Sequence, residues 1–216
     1  LIHELSNSFI HRHIQTFPYA GVKFAAVEAL NKTGLEWTQI YTGFFLDYII
    51  VNHPTHMRPI AKIVDVENNV AGLPGTGSNP IHFTYSYDVA KYTAALLAMD
   101  TWEKNYYIAG DIQTWSEVVE VVERAKGVKF DVVYDSRECL EKGEIKEIPG
   151  QRSAGDALGG EKNREMLRRM AVSFRLWQIQ GLASKREGVC LGEVVREIEP
   201  LTLEKAWKGY IKYYKG

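Results

Sequence analysis

The passage from Pro18 to Tyr41 constrains the fold most. Its first part, PYAGVKFAAVEALN, has helix length, and Tyr19, Lys23, Val27 and Leu30 fall on one face by the i, i+4, i+7 rule. Pro18 suits a first helical turn, where its missing N–H costs nothing, and Gly34 stands just beyond Asn31 as a stop. LEWTQIY, residues 35–41, follows with the β-branched and aromatic content of a strand. The same alternation recurs downstream, and strands alternating with helices give an α/β class.

Downstream, a strand is expected at Ile81–Tyr85, then a helix, DVAKYTAALLAM, capped by Asp88. Tyr106–Ala109 reads as a strand. Thr114 and Glu117 form a T-x-x-E capping box for a helix that stops at Gly127. Lys129–Tyr134 reads as a strand, and Ser136 caps a helix ending near Gly143. Met166, Leu167, Met170, Phe174 and Trp177 have helical spacing within a long helix from Glu161 to Gln180, and Thr202 caps a last helix through Tyr213. Between these elements, Gly43 breaks the first strand, and FFLDYII reads as a short amphipathic helix. Residues 53–59 read as a loop, with two short strands at 60–66 and 69–73. EIPGQRSAGDALGGE reads as a flexible, glycine-rich connection, and residues 1–17 as a loop or a short helix around Phe9 to Ile14.

At 216 residues the chain makes one large domain, or one domain with a lobe, and buries enough surface to fold without staples. A net charge of -1 provides no global field for nucleic acid or an anionic membrane. Cys139 and Cys190 form neither a disulfide nor a metal pattern and read as free thiols in a reducing, cytoplasmic setting. No apolar run reaches membrane-spanning length and no charged-then-apolar leader is present. The chain begins at Leu1, and the expectation is a fragment or a trimmed product.

Tyr19-x-x-x-Lys23 is the best candidate for chemistry. One helical turn apart, a lysine ammonium stabilises the phenolate and lowers the tyrosine pKa from about 10. Such a pair can give a proton to a carbonyl oxygen as a hydride reaches its carbon. The same spacing also arises by chance on ordinary helices. Gly72, Gly75 and Gly77 in GLPGTGSNP invite a phosphate-loop reading, but a strand-like IHFTY follows where a helix is needed, so a tight turn is favoured. His11, His13, His53 and His56 have no converging cysteine or paired carboxylate, and no metal is assigned. Arg164, Arg168 and Arg169 stand among Glu161 and Glu165, which favours a solvated helix face over a nucleic-acid patch. Phe44 and Phe45 follow a strand end at a glycine, where open α/β sheets bind ligands.

The string K-x-x-x-x-E-x-L-x-x-x-G-L-E-W-T-x-I-x-x-G-F-F-x-D-Y, from Lys23 to Tyr48, resembles the NmrA-like family. This is the atypical short-chain dehydrogenase/reductase group that includes isoflavone reductase-like enzymes, and the likeness is closest to fungal members. It continues through Phe83-Thr84, Asp88-Val89-Ala90, Gly110-Asp111, Thr114-Trp115, Lys129-Phe130-Asp131-Val132 and Tyr134-Asp135-Ser136. The resemblance implies the C-terminal part of a NAD(P)-binding Rossmann domain with a smaller α/β substrate lobe. Residues 1–50 and 81–127 would be Rossmann elements, and 51–80 and 128–216 elements of the lobe. It implies Lys23, eleven residues before Gly34, as the catalytic position, with Tyr19 as its less general companion. Lys23, Thr42, Gly43, Phe44 and Phe45 would meet the cofactor, NADP with NAD as the alternative, and Phe45 and Tyr48 the substrate.

The family's glycine-rich fingerprint is not found in these residues, so this polypeptide resembles the second half of the family domain and is expected to lack a pyrophosphate cradle. An incomplete sheet would expose a strand edge and favour self-association. Two functions follow from the resemblance. One is a reductase of a small, aromatic or enone-like substrate, inactive as this fragment alone. The other is a non-enzymatic, NAD(P)-sensing regulator that binds protein partners.

Overall fold

The computed structural model describes residues 18–58, 62–184 and 188–214. The expectation for residues 1–17 lies outside the described residues. Helix α1, Pro18–Asn31, has the expected bounds. Its end is made differently from the expectation: Gly34 is not left-handed, and the Thr33 hydroxyl donates instead to the Leu30 carbonyl at 2.7 Å. Among the described residues of this helix Val27 is the buried hydrophobic one, while Val22 stays 72% exposed. The following strand is shorter than LEWTQIY suggests: β1 is Gln39–Tyr41.

Among the described residues, three short sheets carry the rest. In the first, β1 pairs in parallel with β6, Asn105–Tyr107, and β6 with β9, Val189–Cys190. In the second, β2, Phe44–Phe45, runs parallel to β5, Pro80–Thr84, which pairs antiparallel with β7, Asp111–Thr114. In the third, β3, Val64–Asp65, is antiparallel to β4, Val70–Pro74, and β4 is parallel to β8, Asp131–Asp135. Residues 81–84 and 71–74 are buried in unbroken runs, the pattern of strands covered on both faces.

Helix α2, Ser86–Leu97, covers the first sheet through Tyr92 and Leu96, which pack with Tyr106, Ile108 and Leu191. Helix α3, Trp115–Lys126, starts at the expected capping box and stops at Gly127, whose φ of 70° is left-handed. It buries Trp115, Val118 and Val122 in the main core. Helix α8, Leu203–Tyr214, packs on α3 and adds Leu203 and Trp207 to that core. Each such side chain stabilises the fold by about 1.5–3 kcal/mol. Ser136 caps α4, Arg137–Glu141, as expected, accepting from the Cys139 amide at 3.3 Å. Short α7, Leu191–Val194, precedes α8.

Three expectations are corrected. First, residues 44–50 do not form a helix throughout. They form β2 and then one 3-10 turn, Leu46–Tyr48, because Phe44 and Phe45 take up a register beside Phe83 and Thr84. Second, Asp88 does not cap α2. It is buried within the first turn and accepts from the Leu201 amide and Lys91 Nζ, both at 2.7 Å. The cap comes from Asp47, which accepts from the Ser86 amide at 2.9 Å and the Ser86 hydroxyl at 2.5 Å. Third, residues 147–161 are not merely a connection. They contain α5, Pro149–Ala157. Buried Asp65 accepts from the Gly150 amide at 2.6 Å, and Gln151 Oε1 accepts from the Ile148 amide at 3.1 Å. A Cβ on Gly150 would lie 2.6 Å from Asp65 Oδ2, so glycine is what admits this cap. The long helix α6, Glu161–Ile179, has the expected span and packs against α4 and α5.

Candidate functional site

The turn after β1 opens into a cavity of about 240 Å³. Gly43, Phe44, Phe45 and Tyr48 form one wall, and α6 forms the opposite one with Leu167, Met170 and Phe174. Gly43 makes the turn: its φ is 65°, and a Cβ there would overlap the backbone carbonyl of His82. No other residue lets β2 approach β5 so closely.

Phe44 is 5% exposed and ties the wall to the core. Its ring centroid lies 5.2 Å from Trp115, 5.4 Å from Tyr48, 5.5 Å from Phe174 and 5.7 Å from Phe83. Edge-on arrangements dominate, as ring quadrupoles favour. Phe45 is half-buried and meets the edge of Tyr48 at 6.5 Å. Burial, and then the Asp47 carboxylate, push the Tyr48 phenol above its ordinary pKa. Tyr48 is therefore a protonated donor at neutral pH.

Polar groups line the same space. Arg152, Arg164, Arg168, Arg175 and Lys62 reach it, together with Glu147 and Gln151. Arg168 forks onto Glu165 at 2.9 and 3.0 Å, Arg164 meets Asp156 at 3.0 Å and Arg152 meets Glu147 at 3.3 Å. Arg175 is fully buried, with Nε 3.3 Å from Asp135 Oδ2 and Nη2 donating to the Gly72 carbonyl at 3.0 Å. Burial pushes its pKa down, and the Asp135 charge opposes this.

Of the residues expected at the site, Gly43, Phe44, Phe45 and Tyr48 come together on this wall. Thr42 is half-buried beside them and does not line the cavity. Lys23 is exposed on α1 and does not line it either. Tyr19 is the second residue of α1, and its side chain lies outside the described residues. Sequence reasoning missed Lys62 and Arg175. Arg175 carried a signal: it is next to Phe174 in the long helix, within the stripe read as apolar. Lys62 carried none. The i, i+4 pairing expected around Arg169 is present, with Glu165 at 2.8 Å, but Arg164 and Arg168 also face the cavity.

The glycine-rich stretch runs from Gly72 within β4 into the turn that joins β4 to β5, and protein atoms fill the space beside Gly75 and Gly77. A Cβ on Gly75 would meet Ile179 at 2.8 Å, and one on Gly77 would meet Ser116 at 2.8 Å. Among the described residues, no group of three or more His, Cys, Asp or Glu could hold a metal, and no helix is long and apolar enough to cross a membrane. His53 donates to the Val51 carbonyl at 3.1 Å and His56 stacks on Tyr87. His11 and His13 lie outside the described residues.

Known proteins resemble this chain in sequence or in fold. The chain is 30% identical over 186 residues to oxidoreductase swnN of the fungus Metarhizium robertsii, covering 83% of this chain and 53% of that protein. It is 30% identical over 135 residues to an oxidoreductase of Botryotinia fuckeliana, covering 62% and 45%. The chain thus spans about half the length of the curated relatives it matches. No protein-family profile matches it. Among solved structures it superposes on isoflavone reductase with a TM-score of 0.65 at 15% identity, over 89% of this chain and 58% of that one. On the leucoanthocyanidin reductase–NADPH complex from Vitis vinifera the TM-score is 0.61 at 14% identity, over 89% and 58%. The fold is therefore the α/β fold of these Rossmann-type reductases, over somewhat more than half their length.

Proposed function

We propose that this chain forms the substrate-holding part of an NAD(P)H-dependent reductase for a small, aromatic or enone-like substrate. One observation carries the reading: the Gly43–Tyr48 turn, at the carboxyl end of a parallel strand, walls an aromatic cavity. Ligands of open α/β sheets bind at such ends, in mostly apolar pockets with a few placed polar groups. The names of the similar oxidoreductases and the NADPH of the leucoanthocyanidin reductase complex support the same reaction class.

The residues present fit the nicotinamide end of such a cofactor and not its diphosphate. Thr42, Gly43, Phe44 and Phe45 would lie against the ring. The N-termini of α2 and α5 are filled by the Asp47 and Asp65 carboxylates, which exclude a phosphate from them. When bound, the nicotinamide supplies a hydride. Phe45 and Tyr48 hold the substrate's rings and exclude water, and Lys23, with Tyr19, is the proposed acid at a reacting oxygen that projects beyond the cavity lining, since Lys23 stands outside it. NADP is the favoured cofactor and the cytoplasm the favoured compartment, where Cys139 and Cys190 stay unpaired. In this proposal residues 1–50 and 81–127 belong to the Rossmann part, and 51–80 and 128–216 to the lobe.

The test follows NADPH fluorescence with a form of the protein extended upstream. Turnover of a quinone or enone, lost in Lys23→Ala and Phe45→Ala, is expected. Cofactor binding without oxidation of NADPH by any such substrate overturns the reading. A second reading, an NAD(P)-sensing regulator that binds protein partners or itself, is favoured by one feature. Val22 and Leu35, 72% and 67% exposed, precede the edge strand β1 in the chain. Charge-neutral substitutions there that abolish association while leaving turnover intact would separate the two.

A further inference from the structure

The cavity is apolar on its walls and cationic at its polar positions. Among the described residues five cations line it, Lys62, Arg152, Arg164, Arg168 and Arg175, against the single carboxylate of Glu147. Most of these charges are already answered. Arg152 has Glu147, Arg164 has Asp156, Arg168 has Glu165 and Arg175 has Asp135.

Two donors are left over. Lys62 has a side chain only 16% exposed, and the acid it meets is Glu67, 3.9 Å away and 80% exposed. At that distance and exposure the pair is water-screened and weak. Arg175 Nη1 and Nε are both buried without a hydrogen-bond partner; Nη2 donates to the Gly72 carbonyl and Nε has the Asp135 carboxylate at 3.3 Å, so Nη1 is the nitrogen with neither a hydrogen bond nor a counter-charge in contact. A buried charged donor left unpaired is destabilising unless something supplies an acceptor.

We propose that the substrate of this cavity carries one carboxylate, held by Lys62 and Arg175, with its unsaturated body against Phe45, Tyr48 and Met170. The inference rests on the cavity being the substrate site, and it adds the substrate's charge. One free guanidinium nitrogen and one ammonium match the two oxygens of a carboxylate. A single surplus cation matches a monoanion rather than a phosphate ester, which would bring nearly two charges into a mostly apolar space. Tyr48, protonated at neutral pH, is compatible with an anionic neighbour.

The experiment titrates the 216-residue chain with cinnamate and with methyl cinnamate, reading tryptophan fluorescence. Phe174 is in contact with both Phe44 and Trp177, so ligands in the cavity perturb the signal. Cinnamate is expected to bind at least tenfold more tightly than the ester. Lys62→Met should narrow that ratio to below threefold, whereas Phe45→Ala should weaken both ligands alike. Arg175→Lys keeps the charge opposite Asp135 and should narrow the ratio partly; circular dichroism checks that it folds. Equal binding of acid and ester, lost in Phe45→Ala, overturns the carboxylate and leaves the cavity as substrate site. Tighter binding of the acid that persists in Lys62→Met and Arg175→Lys overturns it too, by placing the anion elsewhere. Failure of both ligands to bind removes the cavity reading and this inference with it.

Discussion

Gly43 and Gly127 offer a matched pair of substitutions. Both are left-handed, with φ of 65° and 70°. An alanine in that region costs about 1–2 kcal/mol wherever it stands. Their surroundings differ. A Cβ on Gly127 meets nothing within 4 Å, whereas one on Gly43 runs into the His82 backbone, with the carbonyl carbon at 3.0 Å. Backbone cannot swing aside as a flexible side chain can, so β2 must move away from β5. Overpacking of this kind adds about 1–3 kcal/mol. Gly127→Ala should therefore lose about 1–2 kcal/mol, and Gly43→Ala about 2–5. With a urea slope of about 2 kcal/mol per M, the midpoints should fall by roughly 0.5–1 M and 1–2.5 M. Near-UV circular dichroism should change in Gly43→Ala alone, because Phe44 carries the motion to Trp115 at 5.2 Å. Equal midpoint losses in the two variants would refute the reasoning, since the close approach of β2 would then carry no energy.

Other consequences are smaller or more local. Thr114→Ala removes the acceptor of the Glu117 amide, 3.2 Å away, and should cost about 1 kcal/mol in urea denaturation, with Thr114→Ser restoring most of it. Asp65→Asn keeps the shape but removes the charge that faces the Gly150 amide at 2.6 Å, so a loss of about 2–3 kcal/mol is expected, with earlier amide exchange across Pro149–Ala157. Hydrogen bonds from Arg168 and then Arg169 pull the Glu165 carboxyl from 4.5 down to about 2. Its stabilising contribution is thus complete above about pH 4.5 and is lost as the pH falls through about 2, and an NMR titration should show that midpoint rise in Arg168→Gln.

The sequence disclosed what local chemistry decides. The bounds of α1, the capping box at Thr114, the left-handed stop at Gly127 and the long stripe of α6 all depend on residues within a few positions of one another. The aromatic turn at Gly43–Tyr48 was legible for the same reason, since a glycine at a strand end announces it. What stayed hidden depends on partners far along the chain. FFLDYII has a helical look, and its conversion to strand is decided by Phe83 and Thr84. Asp88 has the position of a cap, yet its carboxylate is taken by Leu201. The glycine-rich 147–161 stretch becomes helical because Asp65 waits at its start. Lys62 reached the cavity unannounced, for no periodic pattern marks a lone lysine between strands.

Those distant caps bear on how the chain reaches its native state. Asp47 closes a loop of 39 residues to Ser86, Asp65 one of 85 to Gly150, and Asp111 one of 92 to Leu203. A helix that owes its first turn to such a partner gains it after the long loop has closed, and loop closure of that kind slows folding. The starts of α2 and α5 should therefore form late and open together, whereas α8 also has the expected local cap at Thr202, which accepts from the Lys205 amide at 3.3 Å. Fraying α5 would also take the Gly150 donor from the buried Asp65 carboxylate and leave it only those of Asn68, so the helix beside the cavity shares the stability of the central strands rather than that of a surface loop.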